Sequence, residues 1–375
     1  MDPIVAIDAR DAYAHEIRGW GRYTRSLVGA LQAGPAEGLQ IHAFQDGGAG
    51  PEVLFEQVKL PLALRRRRAA LVHAPNCFLP LLRPCPGVVT INDLAFETWP
   101  SDFAPRTLVK YRLFARLAAR SAQRVICPSE FTRQDLCERY AVEPGKVRVI
   151  PDAPALAQGE KPPVQDDPPL AADEKRCPID ERSASGDELG LGDERPPQAP
   201  YVLAVGDLRK KKNLGPLVQA FTDLRRQERI PHRLVLAGVD GGEGPRLRAL
   251  AGDAPLELTG YVGDSRLDAL IRGAEVVVAP SLYEGFGLVV LEAMARGTPV
   301  LAARATALPQ TGGDAALYFE PGRDGGREDL RLVLESLLGD PGARAGLSRR
   351  GLSWVAQFSW ERTARETVAV YRELL

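Results

Sequence analysis

The 375-residue chain carries 48 Lys and Arg against 49 Asp and Glu, a formal net charge of −1. That balance gives no global basic character to hold nucleic acid, and the length exceeds one ordinary core, so two domains of about 150 residues are expected. Five cysteines (Cys77, Cys85, Cys127, Cys137 and Cys177) form no C-x-x-C pair and no Cys/His metal spacing. With no signal-peptide pattern and no run of 18 apolar residues, a cytoplasmic protein with reduced, buried thiols is expected, peripheral membrane contact staying open.

In chain order, "PIVAIDAR" (3–10), "LQIHAF" (39–44), "ALVHAP" (70–75), "VVTIND" (88–93), "RVICPS" (124–129) and "VRVIP" (147–151) read as strands. They are apolar throughout rather than alternating, as in a parallel sheet covered on both faces. Helical patterns at 22–33, 103–122 and 130–140 separate them, which makes a doubly wound α/β domain over 1–152.

Residues 153–199 break the pattern. Eleven acidic side chains oppose five basic ones in this Pro-rich stretch, which holds almost no large apolar residue. Such a composition cannot bury enough surface to offset its ordering entropy, so a mobile insert or plain linker is expected. From Tyr201 the alternation restarts, with strands at 201–207, 233–238, 256–262, 275–280, 299–303 and 316–321 and terminal helical stretches near 328–338, 341–357 and 360–374. Two α/β halves joined by a hinge predict a ligand cleft at the carboxyl ends of their strands. The second half is assigned to 200–358, and 359–375 is set apart as a final helix.

The most informative stretch is "SLYEGFGLVVLEAMARG", 281–297. Its helix is apolar on all sides and should be buried, yet Glu292 sits in its middle and Glu284 lies eight residues earlier. A buried carboxylate costs several kcal/mol unless it is hydrogen-bonded. Vicinal hydroxyls of a ligand would supply that partner; a structural arginine is the alternative. Gly285 and Gly287 would let a ligand approach the main chain at the helix start, where free amides favour an anion. In "VGDLRKKKNLGPL" (205–217), Lys211 and Lys212 stand where they could neutralise a diphosphate. No Asp-x-Asp occurs, so no metal-held diphosphate and no cofactor is expected.

The Glu284-x7-Glu292 spacing framing "GFGL" resembles the signature of retaining GT-B glycosyltransferases of family 4. "RGWGRYTRSL", "VHAPN", "ICPSEFTRQDL", "VGDLRKKKN" and "LPQTGGDAALYFEP" are similar to family segments in family order. The resemblance covers nearly the whole chain outside 153–199. It implies two Rossmann-like domains facing across a cleft, the first on the acceptor side, with the last helix crossing back to it. By this resemblance Glu284 contacts the donor sugar, Glu292 the nucleotide ribose, and Lys212 and Lys211 the diphosphate. Gly19 and Gly21 face the phosphate across the cleft. Phe286, Gly287 and Leu288 approach through their amides, and Tyr261 and Val262 flank the base.

Three residues depart from the family pattern. Asn92 replaces a reaction-centre histidine and cannot hold a proton near neutral pH. Asp207 stands where some relatives place an arginine, and Gln310 replaces a common glutamate. The implied chemistry is retaining transfer from a nucleotide sugar, without metal, to a glycan or lipid-linked acceptor, with GDP-mannose favoured by likeness to polysaccharide mannosyltransferases. An epimerase on the same fold and a non-catalytic binding subunit are the alternatives. Arg65–Arg68 and the 103–122 helix, with Arg106, Lys110, Arg112, Arg116 and Arg120, are a solvated face or a peripheral surface for anionic lipid. Trp20 and Trp99 are candidates to stack on a sugar; His15 and His73 are singletons with structural and catalytic roles both open.

Overall fold

The computed structural model describes residues 2–13, 19–34, 36–45, 51–154 and 199–375. His15, Cys177 and all but the margins of 153–199 lie outside the described residues.

The first sheet is parallel, in the order β2-β1-β3-β4-β5-β6. Its strands are β1 (Ile4–Asp8), β2 (Gln40–Phe44), β3 (Leu71–Ala74), β4 (Gly87–Thr90), β5 (Arg124–Cys127) and β6 (Val147–Val149). Alternate side chains of β1 enter different cores, Val5 and Ile7 on one face and Ala6 on the other. That two-sided burial is why the strands read as unbroken apolar runs. The covering helices are α1 (Gly19–Ala33), α4 (Ala95–Thr98), α5 (Pro105–Ser121) and α6 (Glu130–Tyr140). Between β2 and β3 runs a helical rod absent from the sequence-based pattern: α2 (Glu52–Leu54), a π-helical stretch Phe55–Lys59 and α3 (Leu60–Arg67).

The second sheet is also parallel, in the order β12-β11-β10-β7-β8-β9. It comprises β7 (Tyr201–Val205), β8 (Arg233–Ala237), β9 (Leu256–Gly260), β10 (Val276–Ala279), β11 (Val300–Ala303) and β12 (Leu317–Phe319). Around it lie α7 (Leu214–Arg226), α8 (Gly244–Ala251), α9 (Asp264–Gly273), α10 (Leu288–Met294), α11 (Leu308–Gly312), α12 (Arg327–Gly339) and α13 (Pro341–Val355). The final helix, α14 (Trp360–Arg372), packs Ala364, Val368 and Tyr371 into the core of the first sheet. His73 on β3 ties it down: Nδ1 lies 2.7 Å from the Tyr371 hydroxyl and Nε2 2.8 Å from Thr90 Oγ1.

Most strands stop two or three residues short of their apolar runs. In "VVTIND" the ladder ends at Thr90, and Asn92 and Asp93 turn into the cleft. These carboxyl-end loops of both sheets face each other and build the site.

Candidate active site

Between the two sheets lies a cavity of about 560 Å³, and Asn92 and every residue expected at the donor site line it. Gly19 and Gly21 arrive on α1, Asn92 after β4, Lys211 and Lys212 after β7, Val262 after β9, and Glu284 through Glu292 after β10. Tyr261, 43% exposed, stands at the rim beside Val262.

Lys212 and Glu284 face each other directly, with Nζ donating to Oε1 at 2.6 Å. Burial pushes the Glu284 carboxyl up, but Lys212 and Lys211 outweigh it and hold it down at about 2. The side chain of Lys212 crosses Gly206, whose φ is +131°. A Cβ there would stand 2.8 Å from Lys212 Cε, so only glycine leaves this path open.

Lys211 reaches the other wall, its Nζ donating to Asp93 Oδ2 at 3.4 Å, while its amide donates to Asp102 Oδ2 at 3.0 Å. Burial lowers its affinity for a proton; Asp93 and Glu284 more than restore it, so the ammonium is held above its ordinary range. Asp207 lies 3.6 Å from Arg209 Nε, and Arg209 also donates to the carbonyl of Asp102 and lies over the Phe103 ring. The acid that would repel a diphosphate therefore has an adjacent guanidinium, which also lines the cavity.

Glu292 requires a correction. The apolar helix was expected to reserve this carboxylate for hydroxyls of a ligand, but Arg22 on α1 reaches across the cleft to it, Nη1 to Oε1 at 3.3 Å. The second nitrogen of Arg22 donates to Asp264 Oδ1 at 2.6 Å, and Arg25 donates to the other oxygen of Asp264 at 2.7 Å. Burial still dominates and keeps the Glu292 carboxyl above its usual range, against the pull of Arg22 and Arg296. The structural arginine and the cavity position coexist at one residue.

Gly285 is likewise explained by the protein itself. A Cβ there would sit 1.8 Å from the Asn92 carbonyl oxygen, so the glycine permits the two domains to touch. Its own carbonyl accepts from Ser129 Oγ at 2.6 Å and from Thr132 Oγ1 at 3.0 Å. Tyr283 adds a second anchor, donating to Asp135 Oδ2 at 2.6 Å and accepting from the Leu94 amide at 3.1 Å. Gln310 does not line the cavity; its Oε1 accepts the Glu130 amide at 3.0 Å, at the start of α6. Asn92 donates from Nδ2 to the Pro75 carbonyl at 3.2 Å, leaving its buried Oδ1 without a protein partner.

The remaining candidates separate. His73 is fully buried between Tyr371 and Thr90, and burial lowers its imidazole to about 3, so it is a neutral structural link. Trp20 lines the cavity and Trp99 does not. Three of the five cations of the 103–122 segment are engaged by the protein itself. Lys110 pairs with Glu52 at 2.6 Å, Arg112 with Glu97 at 3.0 Å, and Arg120 donates to the Tyr140 carbonyl. Cys77 and Cys127 are buried free thiols, while Cys85 and Cys137 are only half-buried. Arg22 and Arg209 are the site residues that residue type did not single out; Arg22 lies within the quoted "GWGRY", beside two glycines already assigned to the cleft.

The chain matches the Glycosyltransferase Family 4 model over residues 18–153 and the Glycosyl transferases group 1 model over 193–352. O-antigen chain mannosyltransferase B of Escherichia coli is 29% identical over 321 residues, covering 83% of this chain and 76% of that one. A D-inositol 3-phosphate glycosyltransferase of Kineococcus radiotolerans is 30% identical over 67% of this chain but only 57% of its own length. Among solved structures, sucrose-phosphate synthase from Thermosynechococcus elongatus superposes with a TM-score of 0.70 at 22% identity, covering 100% of this chain and 99% of that one. HepE of Anabaena, solved in complex with UDP-glucose, gives 0.65 at 17% identity with full coverage of both chains. With two facing parallel α/β domains and these matches across both, the chain belongs to the family 4 glycosyltransferases of GT-B fold.

Proposed function

We propose that this protein is a retaining, metal-independent glycosyltransferase that moves a hexosyl group from a nucleotide-diphosphate sugar, GDP-mannose favoured, to a glycan or lipid-linked acceptor in polysaccharide or glycoconjugate synthesis. One observation carries the reading: Lys212 and Glu284 in contact at 2.6 Å, beside Lys211 and in the same cavity as Glu292. Lys212 and Lys211 offer two ammonium groups to a departing diphosphate, charge that a metal would otherwise supply. Glu284, ionised far below neutral pH, is a hydrogen-bond acceptor for sugar hydroxyls rather than a proton carrier. That disfavours an epimerase, which must move protons at the sugar ring.

In the proposed step the anomeric C–O bond to phosphate breaks as the acceptor oxygen approaches from the same face. The leaving phosphate oxygen takes the acceptor's proton, and the diphosphate leaves on the two lysines. No enzyme base is required, so Asn92 serves by hydrogen bonding from the cleft wall. The O-antigen mannosyltransferase relative supports mannose as the transferred group.

Peripheral contact with anionic lipid forms part of the proposal. Val109, Leu113 and Leu117 are 65%, 52% and 36% exposed at successive turns of α5, and Val58 and Leu62 are each 47% exposed on the neighbouring helical rod. The Lys110–Glu52 pair places these two elements side by side. Arg65 and Arg66 on the rod, Arg68 just after it, and Arg106 and Arg116 on α5 are exposed, a composition suited to an anionic headgroup layer.

A melting screen with UDP, GDP, ADP and dTDP tests the donor, because stabilisation follows affinity. GDP is expected to shift the melt most. Nucleoside diphosphate release from the matching sugar should persist in EDTA, with the product keeping the donor's anomeric configuration. Epimerised sugar nucleotide without diphosphate release, or no turnover with any donor, would defeat the reading.

A further inference from the structure

The first domain contributes a cavity wall of a different character from the lysine wall. Trp20 on α1 and Tyr111 on α5 are stacked, with ring centroids 5.6 Å apart and planes at 29°. Phe96 and Phe103 pack against Tyr111 at 5.7 and 6.1 Å, and all four rings line the cavity. Beside them stand two carboxylates that also line it. Asp11 accepts from Asn76 Nδ2 at 3.0 Å, and Asp93 faces Lys211.

The charges behind this wall decide what it can hold. Arg10 is bound to Asp8 at 2.8 Å and to Glu56 at 3.3 Å, and Lys110 to Glu52 at 2.6 Å and to Glu56 at 3.5 Å. Arg209, whose guanidinium lies over the Phe103 ring of this wall, is matched by Asp207 at 3.6 Å, so three cations meet four carboxylates before Asp11 is added. Burial lifts the Asp11 carboxyl above its ordinary range; Asp8 and Glu52 add to that, while the Asn76 hydrogen bond and Arg10 oppose it. A phosphate seated there would face net negative charge at short range, where low dielectric strengthens repulsion. A sugar ring would meet no such penalty. Its C–H face matches an aromatic surface and its hydroxyls find carboxylate acceptors, the mixed apolar and polar lining typical of small-molecule sites.

We infer that the Trp20, Tyr111 and Asp11 wall is the acceptor subsite, and that it takes an uncharged glycosyl residue rather than a phosphate-bearing group. The inference rests on the glycosyltransferase reading above and deepens it. Any phosphate of a lipid-linked acceptor then lies at least one sugar away from the attacking hydroxyl. An earlier glycosyl transfer must therefore supply the substrate, and this protein extends a glycan.

The test measures acceptor binding apart from turnover. Saturation-transfer NMR on the full chain, with GDP present, compares methyl glycosides of mannose, glucose, galactose and N-acetylglucosamine with the corresponding sugar 1-phosphates. At least one methyl glycoside is expected to bind about tenfold more tightly than its 1-phosphate. Trp20→Ala should remove that signal and Trp20→Phe should restore part of it, while Asp11→Asn should narrow the gap between neutral and phosphorylated ligand. A melt in GDP matching the parent's establishes that each variant is folded with its donor half intact. Tighter binding of the 1-phosphates, no methyl glycoside binding in the parent, or unchanged binding in Trp20→Ala would overturn the inference. Failure of the nucleotide melt in the parent would instead strike the donor assignment.

Discussion

Arg22 and Glu292 belong to different domains, yet Nη1 of one lies 3.3 Å from Oε1 of the other inside the cleft. The same guanidinium holds Asp264 at 2.6 Å, so one side chain of the first domain fastens both α9 and α10 of the second. A ribose seated on Glu292 would share that carboxylate with Arg22, which makes the arginine a neighbour of the donor.

Removing Arg22 leaves a buried carboxylate without its cross-cleft partner. Arg22→Ala should cost about 1–3 kcal/mol in denaturant unfolding. Adding Glu292→Gln should recover part of the loss, with a coupling energy of about 0.5–3 kcal/mol. Strictly additive losses would mean the pair contributes nothing of its own.

Lys212→Ala and Glu284→Ala should each lower turnover of the nucleotide sugar by about a hundredfold or more, with unchanged far-ultraviolet circular dichroism. Single-turnover release of nucleoside diphosphate gives the number. Near-parental rates in either variant would remove that residue from the site.

Gly285→Ala places a methyl group 1.8 Å from the Asn92 carbonyl oxygen and 2.8 Å from Asp93 Cβ. The nearest atom is backbone, which no rotamer change moves, so the domains must separate. A larger radius of gyration by small-angle X-ray scattering is expected, with turnover down about tenfold or more from the displaced cleft walls. Parental scattering and activity together would contradict the contact.

His73 makes stability depend on pH in a defined window. Its folded-state value of about 3 lies below that of an unfolded histidine, about 6.5, so unfolding takes up a proton between these limits. Stability therefore falls as pH drops through that range, by up to about 1.4 kcal/mol per unit. His73→Gln, compared with the parent from pH 6.5 to 4.5, should lose less stability on acidification. Parallel curves would show that His73 does not carry this slope.

The exposed stripe on α5 predicts binding to vesicles. Leu113→Glu combined with Val109→Glu should reduce co-sedimentation with phosphatidylglycerol-containing vesicles about tenfold or more, since both the apolar contact and the electrostatic attraction are weakened. Turnover on a soluble acceptor should be unaffected. Equal sedimentation of parent and variant would leave the stripe without a lipid role.

Much of the fold was legible because its signals are local. Apolar runs such as "IVAID" become strands buried on both faces, and their alternation with helical patterns dictates a parallel sheet. The helical rod spanning Glu52 to Arg67 escaped because its exposed Val58 and Leu62 blur the expected apolar stripe. The convergence of the candidate residues was legible too, since Glu284, Lys212 and Glu292 sit at fixed offsets from strand ends that meet at one cleft. Their partners were not. Arg22 and Glu292 are separated by 270 positions, and Gly285 meets Asn92 only once the two sheets face each other. The sequence by itself determined which chemistry stands at each strand end, because periodicity and turn residues act over a few positions. Only the tertiary structure decided that Glu292 shares an arginine, that Gly285 marks a domain contact, and that aromatic rings with carboxylates oppose the lysines, because pairing across a cleft depends on how two separately folded sheets dock.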